Sequence, residues 1–371
     1  MIRLNMYGWN YRLNQLKQES AYNTLSHGRI AIVHRTCYEV VSDNGLYQCE
    51  LTGNLMYGKS DFELPCTGDW VLFQPFDDSK GIIVGMLPRE RTLYRKRNGT
   101  VAGKQAIASY VDKAFIVQSL DDNFNMRRVE RFMVQILEEN IHPVLILNKA
   151  DLPFDKQETE EAIKHLTRRM PVFFTSIHHP ETVSRLRDSI SEGETVVFVG
   201  SSGVGKSSLV NALCERSVLL TSDISQSTGK GRHTSTRREM VLMDGSGVLI
   251  DTPGIREFGL TVDNPDSLAE MLEISNYAES CRFKDCTHTN EPGCAILEAV
   301  AEGSLDVTVY ESYLKLKREA WHFSASEHEK RKKGKSFTKL VEEVKRRKAD
   351  SGFYIYGAGI FGFLHHIFQG V

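Results

Sequence analysis

Cysteine and proline are scarce in this sequence, which has seven cysteines and ten prolines among 371 residues. A small and odd number of cysteines excludes a disulfide framework. Three of the seven fall within residues 281–294, a grouping that indicates metal ligation in a reducing compartment. An excess of one charge is also missing, since 46 lysines and arginines oppose 48 aspartates and glutamates. The whole-chain charge therefore gives no indication of nucleic-acid binding.

Long hydrophobic runs are absent except at the end of the chain. Residues 1–20 contain neither the apolar segment nor the small-residue cleavage site of a secretory signal, so we expect a cytoplasmic protein with no membrane partner. Residues 353–371 are apolar but contain glycines and a histidine pair, and they reach only the short limit of a membrane span. For residues 351–371 we leave open a packed C-terminal element, a frameshifted end or a weak membrane contact, and favour the first two.

The remaining composition is typical of a globular protein with several domains. Hydrophobic residues make up 41% and charged residues 25%, and the length suits two or three domains of roughly 150 residues. Positive charge is concentrated in residues 315–348, where thirteen lysines and arginines accompany five glutamates. This stretch is either a solvated helix surface or a surface for nucleic acid.

Five short β-rich segments occupy the N-terminal part of the chain. They are residues 28–35, 37–43, 46–53, 68–76 and 81–87. Their spacing of about ten residues, with turn residues between them, predicts a small all-β barrel or sandwich. Five strands suit an OB-fold, which commonly binds oligonucleotides, although the pattern does not separate it from an SH3-like barrel. We expect the basic residues 87–100 that follow to form an exposed linker.

From about residue 113 the pattern changes to alternating strands and helices. Apolar segments at residues 113–120, 143–149, 171–177 and 195–200 alternate with helical patterns at 126–140, 158–170 and 206–214. Two further strands, at residues 239–243 and 247–251, are joined by a turn with the sequence DGSG. Repeated βα units predict a mostly parallel sheet with helices on both faces.

The sequence GSSGVGKS at residues 200–207 fits the phosphate-loop motif in full, between an apolar strand and a helix. The backbone N–H groups of such a loop and the N-terminus of its helix bind the phosphates of a nucleoside triphosphate. Lys206 is predicted to reach the β- and γ-phosphates, and the Ser207 hydroxyl to ligate Mg²⁺. Alone, the motif specifies a nucleoside triphosphate and nothing finer.

The sequence NKAD at residues 148–151 follows a predicted strand and is placed to read guanine. Asp151 can accept hydrogen bonds from guanine N1–H and the 2-amino group, a donor pair that adenine lacks. The stem of Lys149 can lie over the base. Ser176, at the end of the next strand, is placed like the short loop that closes over the base in GTPases.

The sequence DTPG at residues 251–254 ends the last predicted strand, about fifty residues after the phosphate loop. Asp251 is predicted to hold Mg²⁺ through water, and the N–H of Gly254 to meet the γ-phosphate. NKAD precedes the phosphate loop, whereas in an ordinary GTPase it follows. A circular permutation restores the same pocket and is permitted where the termini of a domain lie close together. The switch segment then runs directly into the C-terminal region.

A mobile switch loop is expected at residues 229–238, which are polar and punctuated by glycine. One of its hydroxyl side chains should supply a second Mg²⁺ ligand, and we favour Thr236 slightly over Thr234. Ile255 stands where Ras-like GTPases use glutamine to orient the attacking water, so intrinsic hydrolysis should be slow. His233 is the best internal candidate for that role, with a loop histidine of no catalytic importance as the alternative.

Cys281, Cys286, His288 and Cys294 offer three thiolates and an imidazole within a short segment. Three cysteines and a histidine are a standard tetrahedral set for Zn²⁺, and a closed site of four protein ligands is structural. Buried free cysteines or a redox pair are the alternatives. The basic residues around the cluster suggest that the zinc site organises a surface that faces nucleic acid.

In this order, the motifs resemble the RsgA (YjeQ) family of small ribosomal subunit biogenesis GTPases. The resemblance covers residues 25–348 and rests on NKAD, GSSGVGKS, the switch sequence GRHTST, DTPG, the Cys/His spacing, and GRI and TGDWV in the β-rich part. It departs from the family in the switch, where HTST replaces the usual three threonines, and in the apolar extension.

The resemblance implies a multidomain α/β fold. Its parts are an OB-like β-barrel at residues 1–92, a circularly permuted P-loop GTPase domain at 98–259, a zinc-binding and basic helical domain at 260–350, and the extension at 351–371. The GTP-binding residues it implies, with those of the motifs above, are Asn148, Lys149, Ala150, Asp151, Ser176, Gly200, Ser201, Ser202, Gly203, Val204, Gly205, Lys206, Ser207, Ser208, Asp251 and Gly254. The catalytic residues are His233, Lys206 and Thr236, the magnesium ligands Ser207 and Thr236, and the zinc ligands Cys281, Cys286, His288 and Cys294.

The implied activity is hydrolysis of GTP to GDP and phosphate during late maturation of the 30S ribosomal subunit. The subunit with its 16S rRNA would be the partner, would stimulate hydrolysis and would release the protein afterwards. The implied cofactors are one structural Zn²⁺ per chain and Mg²⁺ with GTP, and nothing in the sequence demands more than a monomer. Two alternatives stay open: a permuted GTPase serving the large subunit or another RNA, and a GTP-gated scaffold with negligible turnover.

Overall fold

The structure, a computed structural model, describes residues 2–56, 63–96, 104–167, 169–214, 239–251 and 274–324. In that part of the chain the strands are β1 (Ser26–Val33), β2 (Tyr38–Ser42), β3 (Gly45–Leu51), β4 (Trp70–Asp77), β5 (Lys80–Met86), β6 (Leu93–Lys96), β7 (Lys104–Ala108), β8 (Lys113–Ser119), β9 (His142–Asn148), β10 (Val172–Thr175), β11 (Thr195–Val199), β12 (Glu239–Leu242) and β13 (Val248–Asp251). After a 3₁₀ turn at Leu4–Tyr7, the helices are α1 (Tyr11–Glu19), α2 (Gly53–Met56), α3 (Met126–Glu138), α4 (Lys156–Thr167), α5 (Pro180–Asp188), α6 (Lys206–Leu213), α7 (Ser275–Ala278), α8 (Ala295–Ala301) and α9 (Val307–Ser324).

Strands β1 to β5 close into a barrel. The strand order is β1-β2-β3-β5-β4, and β4 pairs back onto β1. All of these pairs are antiparallel except β3 with β5. Alternate residues of each strand point inward, and a cluster that includes Ile30, Val40, Phe73 and Ile83 fills the interior. The five predicted strands are confirmed, and the closure is the five-stranded Greek-key arrangement of OB-folds.

The segment that follows the barrel differs from its prediction. We expected an exposed linker at residues 87–100, yet in the described part Leu87 and Leu93 are buried. Arg89 forms an ion pair with the buried Asp69, at 2.7 Å between Nη2 and Oδ2. The mixture of basic and apolar residues concealed this packing, because an arginine can bury its charge when a carboxylate accompanies it.

The second half of the sheet is the predicted α/β unit. Its order is β10-β9-β8-β11-β13-β12, with every pair parallel except β12 with β13. The strands are nearly all buried and rich in Val, Ile and Phe, as expected where helices cover both faces. One hydrophobic cluster joins the sheet to α3 and α4, and another joins it to α5 and α6.

Barrel and α/β unit meet along a continuous sheet at the pairing of Ile32 with Glu239. Arg29 crosses this junction with its side chain fully buried. Its guanidinium donates to the carbonyl oxygens of Gly68, at 3.0 Å, and of Tyr7, and to the Thr195 hydroxyl at 2.9 Å. Burial lowers the pKa of Arg29 to about 10, which leaves it charged at neutral pH. A buried cation bonded on several sides ties the barrel to the sheet.

Helices α7, α8 and α9 follow the sheet and pack around Ile274, Ile296, Leu305 and Tyr313, with Val134 of α3 in the same cluster. Contacts group residues 1–320 into one compact unit and residues 321–371 into another, of which the end of α9 is described. No helix among the described residues is long and apolar enough to span a bilayer. The apolar extension at 351–371 lies outside the described residues.

Candidate functional site

The phosphate loop and the NKAD loop meet at the carboxyl edge of the parallel strands. Chain order runs outward from β8 through β9 to β10 on one side, and from β11 to β13 on the other. The topological switch point therefore lies between β8 and β11, and ligands of open α/β sheets bind outside the strand ends at such a point. NKAD begins on the last residue of β9, and the phosphate loop directly follows β11. Folding thus brings together motifs that are about fifty residues apart in sequence.

The phosphate loop needs glycine at two close approaches. Gly200 has φ +147°, and a Cβ there would lie 2.4 Å from the carbonyl oxygen of Val117. Gly205 has φ +93°, and a Cβ there would lie 2.3 Å from the side-chain nitrogen of Asn148. Any larger residue would therefore push the loop away from β8 and from the NKAD loop. The glycine spacing of the motif is explained by this packing as well as by room for phosphate.

Lys206 opens helix α6 and folds back over its own loop. Its Nζ atom donates to the carbonyl oxygens of Gly200 at 2.7 Å and Ser201 at 2.6 Å. The ammonium group is thereby held over the loop, where phosphate oxygens would lie. Ser207 and Ser208 follow in the first turn of α6 and are exposed. The positions predicted to face phosphate and Mg²⁺ are accessible, with the N-terminal end of the helix dipole beside them.

Two of the predicted GTP-binding residues also connect the loops to each other. Asn148 is 3% exposed, and its side-chain amide donates to the carbonyl oxygen of Val204 at 2.9 Å. Its Oδ1 atom accepts from the Thr175 hydroxyl at 3.1 Å. The Val204 side chain is buried in the core, so only its backbone can face a ligand. The ends of β9 and β10 are thus joined to the phosphate loop through one amide side chain.

Asp151 and Ser176, both predicted to lie at the base, contact each other. The Ser176 hydroxyl donates to Oδ1 of Asp151 at 2.5 Å, and this hydrogen bond lowers the pKa of the carboxyl group. Asp151 is therefore ionised at neutral pH and can only accept hydrogen bonds. Ala150 lies between these groups, and its N–H donates to the carbonyl oxygen of Thr175. Lys149 is held in a left-handed conformation, with φ +62°.

Several predicted residues fall at or beyond the limits of the described chain. Asp251 is the last residue of β13, next to the phosphate-loop strand. His233, Thr236 and Gly254 lie outside the described residues, as does Ile255.

Motif reasoning missed three residues in the segment that runs from the end of β8 into the first turn of α3. Asp121, Asn123 and Arg128 contact the NKAD loop and the phosphate loop, at 2.8 Å for Asp121 with Lys149 and 2.7 Å for Arg128 with Ser201. Only their position in the sequence could have identified them: they are polar residues that follow a buried parallel strand, and such residues lie at the edge of the sheet where ligands bind.

The four predicted zinc ligands come together. One donor atom from each of Cys281, Cys286, His288 and Cys294 lies within 4.8 Å of all the others. His288 Nδ1 is 3.6 Å from Sγ of both Cys281 and Cys294, and those two sulfur atoms are 4.0 Å apart. A zinc–sulfur bond of about 2.3 Å in a tetrahedron separates two sulfurs by about 3.8 Å, so the set fits Zn²⁺.

Protonation and hydrogen bonding at the cluster are compatible with metal ligation. Desolvation, followed by hydrogen bonds that the Cys286 thiol makes to Cys294 and Cys281, raises the pKa of Cys286, which a bound dication would reverse. Desolvation lowers the pKa of His288 and favours the neutral imidazole that ligates metals. The Tyr310 hydroxyl of α9 donates to the His288 carbonyl oxygen at 2.7 Å, which fixes the loop that carries this ligand. The four residues could therefore hold a zinc ion.

Metal analysis tests the cluster directly. We expect about one zinc per chain in the purified protein, and less than about a tenth of that after Cys294→Ser, because three ligands bind Zn²⁺ much more weakly. Cys294 is 2% exposed and packs with α8, so its variant should also melt at a lower temperature. Cys37→Ser is the matched control, since Cys37 lies in the barrel and is half-buried. A metal-free wild type that unfolds cooperatively would exclude the site.

The fold and the two loops define a circularly permuted P-loop GTPase. Two solved structures share the fold: YjeQ from Thermotoga maritima, with TM-score 0.61, 23% identity and coverage of 80% of this chain and 98% of that one, and YloQ, described as a circularly permuted GTPase, with TM-score 0.59, 24% identity and coverage of 83% and 99%. A family model described as RsgA GTPase matches residues 86–261.

Closer relatives identify the family. The chain is 74% identical over 347 residues to "Small ribosomal subunit biogenesis GTPase RsgA 1" of Bacteroides thetaiotaomicron, covering 94% of this chain and 98% of the relative. It is 41% identical over 317 residues to a "Small ribosomal subunit biogenesis GTPase RsgA" of Methanosarcina acetivorans, covering 84% of each. The chain belongs to the RsgA family and is a GTP-hydrolysing P-loop enzyme, which confirms the predicted family and fold class.

Proposed function

We propose that this GTPase binds the 30S ribosomal subunit and acts in its late maturation. GTP hydrolysis to GDP and phosphate is stimulated by the subunit and followed by release. One observation carries the proposal: nearly the whole chain aligns at 74% identity with a relative named as a small ribosomal subunit biogenesis GTPase. The contact between NKAD and the phosphate loop, made by the Asn148 amide with the Val204 carbonyl oxygen, supports the nucleotide part of it.

In the proposed site, each loop recognises one part of the nucleotide. Asp151 accepts from guanine while Ser176 holds its carboxylate, and Asn148 and Lys149 complete the guanine site. Lys206 neutralises the β- and γ-phosphates, and the backbone N–H groups of residues 200–208 surround them. A GTPase of this class takes Mg²⁺ with GTP, which polarises the phosphates and neutralises developing charge.

Further residues and domains have proposed roles in magnesium binding, hydrolysis and zinc binding. Ser207 and Thr236 are the magnesium ligands, Asp251 holds Mg²⁺ through water, and the N–H of Gly254 meets the γ-phosphate. His233 acts in hydrolysis. One structural zinc per chain lies in the Cys/His cluster. The barrel, GTPase and zinc domains keep the boundaries 1–92, 98–259 and 260–350, and the protein acts as a cytoplasmic monomer.

Charge in the C-terminal region supports contact with 16S rRNA. Arg282 and Lys284 are exposed in the loop that carries the metal ligands, and Lys315 and Arg318 are exposed on α9. The Arg282 guanidinium lies 5.6 Å from the ring centroid of Phe283, itself 43% exposed. Basic side chains beside an exposed aromatic ring are suited to phosphates and unstacked bases of RNA.

Steady-state GTP hydrolysis, alone and with purified 30S, 50S and 70S particles, tests the proposal. We expect slow intrinsic turnover and at least a tenfold stimulation by 30S subunits, because the subunit would complete a site that lacks the glutamine of Ras-like enzymes. Stimulation by 50S subunits alone would assign the protein to the large subunit. Absence of stimulation by every particle would favour a nucleotide-gated scaffold.

A further inference from the structure

Asp121, Asn123 and Arg128 lie at the switch point of the sheet, between the two loops of the nucleotide site. Asp121 and Asn123 are in the connection after β8, and Arg128 is in the first turn of α3. Asn125 caps this helix, accepting from the N–H of Arg128 at 3.1 Å, and so fixes where the Arg128 side chain starts. We call these three residues the bracket.

On the base side, the bracket holds Lys149. Its Nζ atom donates to Oδ2 of Asp121 at 2.8 Å. The other carboxylate oxygen accepts from the Ser119 hydroxyl at 2.6 Å and from the N–H of Asn123 at 3.0 Å. Hydrogen bonds from Lys149 and then Ser119 lower the pKa of Asp121 to about 2, so the carboxylate stays charged at every physiological pH.

On the phosphate side, the bracket holds Ser201 and Ser202. The Asn123 side-chain amide donates to the carbonyl oxygen of Ser202 at 3.2 Å. Arg128 Nη1 donates to the Ser201 hydroxyl oxygen at 2.7 Å and to Oδ1 of Asn123 at 3.1 Å. The same amide is therefore fixed by the arginine and in turn fixes the phosphate loop. Among the described residues, this chain of hydrogen bonds runs without a break from Lys149 to Ser201.

We propose that the bracket sets the spacing between the base-reading loop and the phosphate loop, and that Arg128 is a positioning residue for binding the nucleotide's phosphates. This inference rests on the proposed assignment of those two loops to one nucleotide. Arg128 acts through Ser201 and Asn123, and its cation adds to the positive potential around the phosphates. Its loss should therefore weaken nucleotide binding while leaving the chemical step close to normal.

A second arginine on the same helix is a matched control. Arg127 is the neighbour of Arg128 in sequence, but its guanidinium points away, 3.8 Å from the Glu311 carboxylate, and both side chains are mostly exposed. Such a surface pair contributes little to stability. Arg127→Met therefore removes the same charge from the same turn without touching either loop.

Titration with a fluorescent GDP analogue and steady-state GTP kinetics, both without ribosomes, test the bracket. We expect Arg128→Met to raise the Kd for GDP and the KM for GTP about tenfold, because the variant loses one charge-assisted hydrogen bond. The kcat for GTP should stay within about threefold of the wild-type value. Ser201→Ala should have a similar effect, and the double variant should be no weaker than Arg128→Met alone. Arg128→Lys should restore part of the affinity, because an ammonium group can still donate to Ser201. Arg127→Met should bind as wild type does.

Coupling across the bracket gives the second readout. Asp121→Asn should also weaken GDP binding, and its effect should not add to that of Arg128→Met if one connected network spaces the loops. Wild-type GDP affinity in Arg128→Met, or full additivity of the Asp121 and Arg128 variants, would overturn the proposal. Melting temperatures without nucleotide show which variants are folded. If Arg128→Met does not fold, GDP binding by Arg128→Lys and Ser201→Ala tests the proposal instead.

Failure of the loop assignment is a separate outcome. If Lys206→Ala binds GDP as tightly as wild type, the nucleotide site itself is misassigned. If Lys206→Ala loses binding while Arg128→Met retains it, the site stands and the bracket alone is refuted.

Discussion

Replacing Lys206 with alanine should reduce GTP turnover by about 10²–10³-fold, the range measured for the loss of one preorganised donor to a developing negative charge. The Lys206 ammonium group is held over the phosphate loop by the carbonyl oxygens of Gly200 and Ser201. Charge spreads over the γ-phosphate oxygens in the transition state, so a fixed cation there lowers the barrier. The variant should also bind GDP more weakly, since Lys206 is expected to neutralise the β-phosphate in the ground state. Single-turnover hydrolysis with GDP titration measures both effects.

Lys164→Ala is the control for this variant. Lys164 is an exposed lysine of α4 whose Nζ atom lies 3.1 Å from Glu161, one turn away on the same helix. Loss of such a surface pair costs at most about 1 kcal/mol of stability and should leave turnover unchanged. If Lys206→Ala keeps more than about a third of the wild-type turnover, Lys206 stabilises the transition state by less than about 0.7 kcal/mol. That is too little for a group that binds the transferred phosphate, and the assignment of Lys206 would be wrong.

Much of the fold could be predicted from the sequence because its segments follow simple periodic rules. The barrel strands alternate inward and outward residues between turns, and all five were found. The strands of the parallel sheet are short continuous apolar runs between helices, a pattern that identifies them as strands buried on both faces. The phosphate loop and NKAD each directly follow such a run, so the sequence places both at the carboxyl ends of parallel strands, where the structure has them.

The contacts that could not be predicted are those between segments distant in sequence. Arg89 pairs with Asp69, twenty residues away, so its stretch looked like an exposed basic linker. Arg128 reaches Ser201 across 73 residues. Neither contact has a motif, and each depends on which strands become neighbours. A local pattern shows that a residue is polar, whereas the tertiary fold decides what it touches.

The circular permutation also has one part that is visible in the sequence and another that depends on the tertiary structure. In the sheet, β8 lies between β9, which carries NKAD, and β11, which carries the phosphate loop. The pocket depends on this spatial order, and chain order is free to differ because parallel strands are joined by crossovers that can be cut and rejoined. Motif order therefore revealed the permutation, while the geometry that makes it harmless required the structure.

Replacing Asp151 with asparagine should change the base that the enzyme prefers. The Asp151 carboxylate accepts from Ser176, and that hydrogen bond lowers its pKa, so at neutral pH it presents acceptors alone. Guanine offers two donors to it, N1–H and the 2-amino group. An asparagine would face the 2-amino group with its own NH₂, whereas xanthine has an acceptor oxygen at that position. We expect GTP affinity to fall by about 10²-fold or more and XTP to become the better substrate. Competition between GTP and XTP, measured as the ratio of their kcat/KM values, checks this.

Asp155→Asn is the control that separates base recognition from a general loss of one carboxylate near the site. Asp155 lies four residues beyond Asp151 and caps α4, accepting from the N–H of Glu158 at 2.9 Å. Asparagine caps a helix about as well as aspartate, so this variant should fold and keep its preference for GTP. An unchanged GTP preference in Asp151→Asn would remove Asp151 from the base site. Equal losses for GTP and XTP would show instead that Asp151 supports the loop through Ser176 without reading the base, because only direct contact with the purine 2-substituent can reverse the order of the two nucleotides.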